Sequence, residues 1–521
     1  MRRRLLGLCS HAGVLIGLLA ALGSLHAVST FVTDDAAITL RYAKHVAAGA
    51  GIRWNPGEHP VEGYSNFSHV LLGAAAIELG LPPLSSLRVL NQASLLLLCV
   101  LIYALALQLL GSRVWAAVAA LLVGAHPSFA YWATSGLETA SYCAACYAGI
   151  YASKRVASRW ALGPGLALLL AALTRFEGPV VFAAVLAPLA LSAIRQRSLS
   201  ALRAHLPWIA LFVLGYLGYF LFRYQYFGHL LSNSAYYKAR DVNSRFSLIL
   251  QFAAQNAALI VLAAFADWRR LGASGATAFG MIAVYTAGFY GVKDSVADFH
   301  RFFLPVVPAL VLLAVSALHR LWPAQNAGRG RGALAGSLFA LALAFDLLHP
   351  VSGLTNVSAE VRVLDTRIES RALAASLIAE HFPSAFSVAV DDAGVIGFVL
   401  ENRILDIFGL NDEQFVHRYA RRQRSYERSL LAQSPALVVA ASSNPNVFRA
   451  CYSSSYFLIR DRAFGQRYKR FSIVRSPRED YHYFIFVRRD LVVAPLRALP
   501  LRRELGLAAM VEDLASRVRN R

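Results

Sequence analysis

The chain has 521 residues, 57% of them hydrophobic and only 16% charged, and a formal net charge of +21. An average soluble domain carries roughly 25% charged residues, so this composition excludes an ordinary soluble enzyme, a disordered tail protein and a fibrous repeat protein. It fits a polytopic membrane protein.

Arg2-Arg3-Arg4 precedes an apolar run from Leu5 to Ser29. That run is too long for the core of a signal peptide, and His26-Ala27 makes a poor cleavage site. It reads as a first transmembrane helix with a cytoplasmic amino terminus. A polar segment, 31–65, opens a first outer loop spanning 31–87. Within it, 66–81 is apolar but short and ends in Leu-Pro-Pro, as expected of an interfacial or re-entrant helix. Further spans read at 88–111, 114–132, 136–153, 160–174, 176–194, 206–222, 248–266, 274–291, 302–321 and 332–349. The total is eleven.

Charge supports this threading. The segments placed inside, with Arg320 at a helix end, hold 15 Lys/Arg and one acid, Asp267; the outer ones hold 11 Lys/Arg and nearly all the acids of residues 1–350. This is the positive-inside pattern. The basic excess therefore serves orientation, and no nucleic-acid partner is implied. An odd number of spans puts the carboxyl terminus outside.

The expected fold class is thus an α-helical polytopic membrane domain, 1–349, followed by a soluble extracytoplasmic α/β domain, 350–521. In the latter, Ser387–Val390, Leu437–Ala440 and His482–Val487 read as strands, and 358–381 and 413–433 as helices. The tail from about 498 to 519 reads as an amphipathic helix. Four of the five cysteines lie in apolar segments. Cys143-Ala-Ala-Cys146 reads as small packing residues between helices, not as a redox pair.

Polar groups collect on the outer side. The first loop carries Thr33-Asp34-Asp35-Ala36, Arg41-Tyr42-Ala43, Trp54-Asn55-Pro56-Gly57-Glu58 and Glu62-Gly63-Tyr64-Ser65-Asn66. One carboxylate near the bilayer surface suits a general base for a hydroxyl acceptor. Two could hold a divalent cation, and Asp35 could equally cap a helix. Glu138, in Ser135–Thr139, sits at a second outer turn, and Arg175 beside Glu177 at a third. The stretch Arg223–Arg245, with Asn233, Tyr237 and Lys238, suits a lipid phosphate or interfacial anchoring. Asp298-Phe299-His300-Arg301 offers further phosphate ligands. Together these residues suggest transfer from a lipid phosphate carrier without naming the group transferred.

Helix count, an Asp-rich first outer loop and an outer carboxyl-terminal domain resemble the GT-C superfamily of polyprenyl-phosphate-sugar glycosyltransferases. The stretch Asp34–Phe67, D-D-A-x-I-T-x-R-Y-A followed by G-x-x-W-N-P-G-E-x-P-V-E-G-Y-S-N-F, resembles the terminal arabinofuranosyltransferases of the mycobacterial cell wall and their bacterial relatives. Weaker matches continue through Ser135–Thr139, Thr174–Gly178, Tyr226–Lys238, Arg301–Pro308, Asp392–Gly397 and Leu405–Asp412. The resemblance implies an inverting transfer in a bacterial plasma membrane, with the site outside. Asp34 or Asp35 would be the catalytic base. Lys238, Arg301, His300 and Arg175 would bind the donor phosphate. Arg41, Tyr42, Glu62, Tyr64, Asn66, Glu138, Asn233 and Tyr237 would line the sugar or acceptor pocket. The donor would be a polyprenyl-phosphate sugar, with arabinofuranose the first expectation; the resemblance fixes no cofactor and leaves a divalent cation open. The acceptor would be an extracytoplasmic glycan, glycolipid or protein. One departure is Lys293–His300, where a Gly-Gly-Asp-like turn is expected and Lys-Asp-Ser-Val-Ala-Asp stands. The alternatives are the same chemistry with another polyprenyl-linked sugar, such as mannose or aminoarabinose, and a lipid-linked saccharide transporter. A transporter should carry polar, broken helices near the midplane in repeated halves, and no halves match here.

Overall fold

The computed structural model describes residues 12–155, 161–198, 200–238, 247–288, 298–321, 329–348, 353–414, 423–476, 481–491 and 507–520. Helices α1 (Ala12–Ala27), α2 (Asp34–Ala47), α3 (Phe67–Glu78) and α4 (Pro83–Leu110) lead into α5 (Arg113–Ala125), α6 (Pro127–Thr134), α7 (Thr139–Ser153), α8 (Gly163–Thr174) and α9 (Gly178–Arg195). Then come α10 (Ser200–Arg203), α11 (Leu206–Phe227), α12 (Asn233–Lys238), α13 (Ser247–Gln255), α14 (Ala257–Ala264) and α15 (Trp268–Gly288). A 3-10 segment, Asp298–Val306, runs into α16 (Val307–Leu321), and α17 (Arg329–Leu348) ends the membrane part.

Among the described residues, four segments are long and apolar enough to cross a membrane: Pro83–Leu110, Gly178–Arg195, Leu206–Phe227 and Phe299–Leu321. The α5–α6 pair passes the same test but bends by 54°, at Pro127, whose ring takes one donor out of the helix ladder. Each stretch read as a span contains a helix, but among the described residues these helices differ widely in length. The stretch 248–266 divides into α13 and α14, and α15 starts at Trp268 and turns at Gly272. Helix α3 has 12 residues, about 18 Å at 1.5 Å per residue, and so is too short to cross. Close packing depends on small side chains: a Cβ on Gly17 of α1 would meet Ala120 of α5 at 2.7 Å. Cys143 and Cys146 are buried and reduced.

The C-terminal part begins with α18 (Leu354–His381). Its sheet contains β1 (Val388–Val390), β2 (Ile404–Asp406), β3 (Leu437–Ser442), β4 (Tyr468–Val474) and β5 (His482–Arg488), in the order β2-β1-β3-β5-β4. β1 pairs parallel with β2 and β3, while β5 runs antiparallel to β3 and β4. The three expected strands form. β2 and β4 were not expected: β2 is only three residues long, and β4, an edge strand, breaks the apolar/polar alternation with the adjacent charges Lys469 and Arg470. Helix α19 (Ala393–Val399) crosses from β1 to β2 and is buried along its length. Helices α20 (Gln423–Ala432), α21 (Ser453–Arg460), α22 (Arg462–Arg467) and α23 (Leu507–Arg519) complete the chain. The expected helix 413–433 and tail helix 498–519 are seen from 423 and 507 onward; their earlier parts lie outside the described residues.

Candidate active site

Helix α2 presents two faces to two different partners. Asp34, Arg41 and Lys44 recur at i, i+7 and i+10, which places them on one side of a 3.6-residue helix. That side meets the C-terminal domain. Asp34 accepts from the Gly394 N–H (3.1 Å) and the Val395 N–H (2.8 Å), at the start of α19. The same carboxylate pairs with Arg371 of α18 at 3.3 Å. Arg41 Nε donates to Trp54 O (2.9 Å), Nη1 to Leu400 O (3.1 Å) and Gly397 O, and Nη2 to Asn55 Oδ1 and Asn402 O (3.0 Å each). Lys44 donates to Phe398 O (2.9 Å) and Leu400 O (3.3 Å) and to Glu401 (3.2 Å).

The first loop is stitched to the same domain. The Asn55 side chain copies a strand neighbour, donating to Ile404 O and accepting from Ile404 N, each at 3.0 Å. Trp54 Nε1 donates to the same carbonyl at 3.0 Å. Tyr42 donates to Val61 O (2.9 Å) and Asn411 Oδ1 (3.1 Å). Gly63 has to be glycine, because a Cβ there would collide with Asn411 and stand 2.9 Å from the Tyr42 hydroxyl. Asp406 shapes this docking loop, accepting from Gly409 N, Asn411 N and Asn411 Nδ2. Arg41 and Tyr42, expected in a sugar pocket, are thus fully buried clips between the two parts of the chain.

Behind Asp34 lies a polar cluster that the sequence reading missed. Asp392 accepts from Tyr452 (3.1 Å), Tyr481 (2.5 Å) and Tyr483, and pairs with Arg371 at 3.1 Å. Burial would raise the Asp392 carboxyl, but Arg371 and the tyrosine hydroxyls outweigh it and hold it low. Burial pushes Asp34 up to about 6 against the pull of Arg371, with Asp392 adding to the rise. Burial and the Asp392 charge carry Asp391 up to about 8. The only sequence signal was the second Asp-Asp-Ala, at 391–393.

The other face of α2 carries Asp35 and, one turn on, Thr39. Thr39 donates to Asn66 Oδ1 (3.0 Å), and Asn66 Nδ2 donates to Glu138 Oε2 (2.9 Å). Glu138 also accepts from Arg175 Nη1 (2.7 Å) and Arg301 Nη2 (2.6 Å). Arg175 closes on Glu177 with Nη2 and Nε, at 2.7 and 3.1 Å. All these side chains are buried apart from the half-buried Asp35. The Thr33 N–H donates to Ser135 O at 3.0 Å, and a Cβ on Gly136 would meet Ala36 at 3.0 Å. The start of α2 therefore rests on the turn that leads to Glu138. Phe299 and His300 take left-handed φ of 47° and 55° just before Arg301, a conformation that costs about 1–3 kcal/mol per residue and here precedes the arginine that reaches Glu138.

The expected residues Asn66, Glu138, Arg175 and Arg301 are thus gathered in one region, and Asp35 stands on α2 one turn before Thr39, which hydrogen-bonds into it. Glu62 and Tyr64 lie in a neighbouring one. Arg223 Nε pairs with both Glu62 oxygens at 2.8 Å, and Asn233 N donates to Glu62 O at 3.0 Å. The buried Arg223 Nη2 and Tyr64 hydroxyl have no hydrogen-bond partner among the described residues. His300 packs edge-on against Phe252 at 5.7 Å. The Tyr237 and Lys238 side chains, and Lys293–Ala297 of the departing turn, lie outside the described residues. Among the described residues, no group of three or more His, Cys, Asp or Glu is placed to hold a metal ion.

The chain is a multi-pass membrane protein with a C-terminal α/β domain. Its fold is that of ArnT from Cupriavidus metallidurans. The structure of that protein bound to undecaprenyl phosphate matches with a TM-score of 0.55 and 15% identity, over 93% of this chain and 98% of that one. Its apo state matches with a TM-score of 0.57 and 15% identity, over 91% and 97%. The arabinofuranosyltransferase AftD from Mycobacteria aligns at 0.49 and 14% identity, over 91% of this chain and 40% of that one. Residues 359–486 match a domain of unknown function, DUF8728. No curated protein matches the sequence significantly.

Proposed function

We propose that the protein is an integral membrane glycosyltransferase that moves a sugar from a polyprenyl-phosphate donor to an extracytoplasmic acceptor, with inversion. The observation that carries this reading is the division of labour on α2. Asp34 is committed to the C-terminal domain, and Asp35 lies on the face that leads to the Glu138–Arg175–Arg301 cluster. Asp35 is therefore the base. An acceptor hydroxyl attacks the anomeric carbon while Asp35 takes its proton. The bond from that carbon to the phosphate oxygen breaks, and polyprenyl phosphate leaves with the electron pair. Positive charge stabilises the leaving phosphate.

Arg301 is the best phosphate ligand of the set. Its Nε meets Thr139 (3.3 Å) and its Nη2 meets Glu138, while Nη1 has no partner among the described residues. Arg175 is less suited, since each of its three nitrogens already holds a carboxylate oxygen. Lys238 and His300 complete the phosphate set. Glu62, Tyr64 and Asn233 belong to the sugar or acceptor side, where the unpaired Arg223 Nη2 and Tyr64 hydroxyl can take a ligand oxygen. The ArnT-like fold supports a polyprenyl-phosphate lipid, since the ArnT structure holds undecaprenyl phosphate. Arabinofuranose is the sugar proposed, on the first-loop motif. The membrane is the bacterial plasma membrane and the site faces outward, on the positive-inside distribution.

The test is purified full-length protein with synthetic polyprenyl-phosphate arabinofuranose and a panel of glycan acceptors, with release of polyprenyl phosphate followed by mass spectrometry. Turnover lost in Asp35→Asn, with donor binding kept, supports the reading. Turnover only with another polyprenyl-linked sugar replaces arabinofuranose. No turnover with any donor, together with donor movement across a sealed bilayer, replaces the enzyme with a transporter.

A further inference from the structure

Where α22 runs into β4, the C-terminal domain gathers positive charge. From Arg462 to Arg470 the sequence holds four Lys/Arg and no acid. Arg462 and Arg467 are the two ends of α22, and Lys469 and Arg470 lie at the start of the edge strand β4. The β4–β5 pairing adds a fifth cation. The Arg489 N–H donates to Arg467 O at 2.8 Å, so these two arginines stand opposite each other. All five residues are exposed.

The described acids beside them are already engaged. Asp490 pairs with Arg488 at 2.7 Å. Asp461 caps α22 by accepting from Ala463 N (2.9 Å), and faces Arg428 at 3.7 Å. None of the five cations has a carboxylate partner among the described residues. Arg467 and Arg489 reach the Leu431 and Gly465 carbonyls at 3.4 Å each. The Lys469 and Arg470 side chains bond to nothing among the described residues. Lys469 and Arg470 alone would guard a free sheet edge against a second strand. Arg462, Arg467 and Arg489 lie off that ladder, and like charges placed opposite one another cost stability. An anion from outside the chain would relieve that cost.

Two observations narrow the anion. The patch stands off the seam with the membrane part. β4 packs on β5, α22 and α18, and Phe471 meets His381 at 5.6 Å, at the end of α18. His381 is about 24 Å along that helix from Asp365, which accepts from Thr30 at the end of α1. A bilayer surface is therefore a poor match. Protein interfaces centre on aromatic or apolar anchors, yet no large apolar side chain is exposed between 461 and 476.

We propose that this edge binds an acidic polysaccharide, held by Arg462, Arg467, Lys469, Arg470 and Arg489. The choice of a glycan among polyanions rests on the glycosyltransferase reading; the unbalanced charge does not.

The test is fluorescence anisotropy of labelled oligogalacturonate with the full chain in phosphatidylcholine nanodiscs, against labelled dextran of the same length. Oligogalacturonate should bind and dextran should not, and binding should fall as salt rises from about 50 to about 500 mM. Lys469→Ala with Arg470→Ala should weaken binding roughly two- to ten-fold, as the loss of two exposed charge contacts would. Lys469→Glu with Arg470→Glu should weaken it further. The fold is not at risk, because these side chains have no partner to lose. Arg195→Ala with Arg203→Ala removes the same charge from α9 and α10 and should change nothing. Equal binding of the two glycans, unchanged binding in the β4 variants, an equal loss in the Arg195/Arg203 variant, or tighter capture of poly-glutamate or of phosphatidylglycerol vesicles would each overturn the proposal. Turnover separates the two readings. A chain that binds the acidic glycan but transfers no sugar keeps this surface and loses the enzyme; one that transfers sugar without binding it loses only this surface.

Discussion

Arg371 of the C-terminal domain grips Asp34 of the first outer segment at 3.3 Å and Asp392 of its own domain at 3.1 Å. One buried guanidinium thus joins two carboxylates that are more than three hundred residues apart. Breaking such a buried pair from one side costs roughly 3–5 kcal/mol, because it leaves a charge without compensation.

That contact separates the two first-loop aspartates by experiment. Asp35→Asn should lower turnover by about 10²- to 10⁴-fold, the size of a lost general base, with little change in melting temperature. Asp34→Asn should lower melting temperature, since its Nδ2 would face a backbone N–H or Arg371. Turnover should fall less. Equal melting curves with equal loss of turnover would remove the distinction.

Gly394→Ala should loosen the same junction. A Cβ there would run into the Asp34 carbonyl and carboxylate. Limited proteolysis should cleave the variant between the membrane part and the C-terminal domain at a protease concentration that leaves the native chain intact. Gly465→Ala is the control, since nothing lies within 4 Å of its added Cβ.

Asp391 supplies a pH dependence. Its carboxyl is raised to about 8 by burial and by Asp392, whereas an unfolded aspartate ionises near 3.9. The folded state therefore binds the extra proton, and its contribution to stability is complete below about 4. It declines as pH rises and is gone above about 8. The melting-temperature difference between wild type and Asp391→Asn should shift against wild type across that window and flatten above it. The variant's own hydrogen-bond loss is a constant offset. A difference independent of pH from 4 to 8 would contradict this.

Glu138→Gln tests the buried charge cluster. The variant keeps an acceptor for Asn66 but removes the charge shared by Arg175 and Arg301. A loss of about 3–5 kcal/mol is expected for a buried ion pair broken from one side, read as a lower melting temperature in detergent. Arg301→Lys should spare most of that stability but weaken donor binding, because a lysine cannot hold Glu138 and present a second nitrogen to a phosphate.

How much of this was legible depends on the residue. Glu138, Arg175 and Arg301 could be flagged singly, since charge at the end of an apolar segment demands a partner. Their partnership could not, because they come from three separate turns. Arg41 and Tyr42 looked like ligand residues for the same reason that Asp35 did: polar side chains clustered in an outer loop of a membrane protein suggest chemistry. A helix with polar residues all round can serve two partners at once, and only the partners tell which face does what. Asp392 was marked only by the second Asp-Asp-Ala and its weak family match, and Arg371 carried no signal, because an arginine in a soluble domain is ordinary.

The one-dimensional pattern by itself determined that the chain is a membrane protein and that an α/β domain follows its apolar helices. These follow from the lengths of apolar runs, which are properties of contiguous segments. Helix breaks, the two short or edge strands and the separation of Asp34 from Asp35 were decided by the tertiary structure. Each depends on which distant backbone amide or guanidinium comes within about 3 Å, and hydrogen-bond energy falls away beyond that distance. The sequence supplies the groups, and the fold chooses which of them meet.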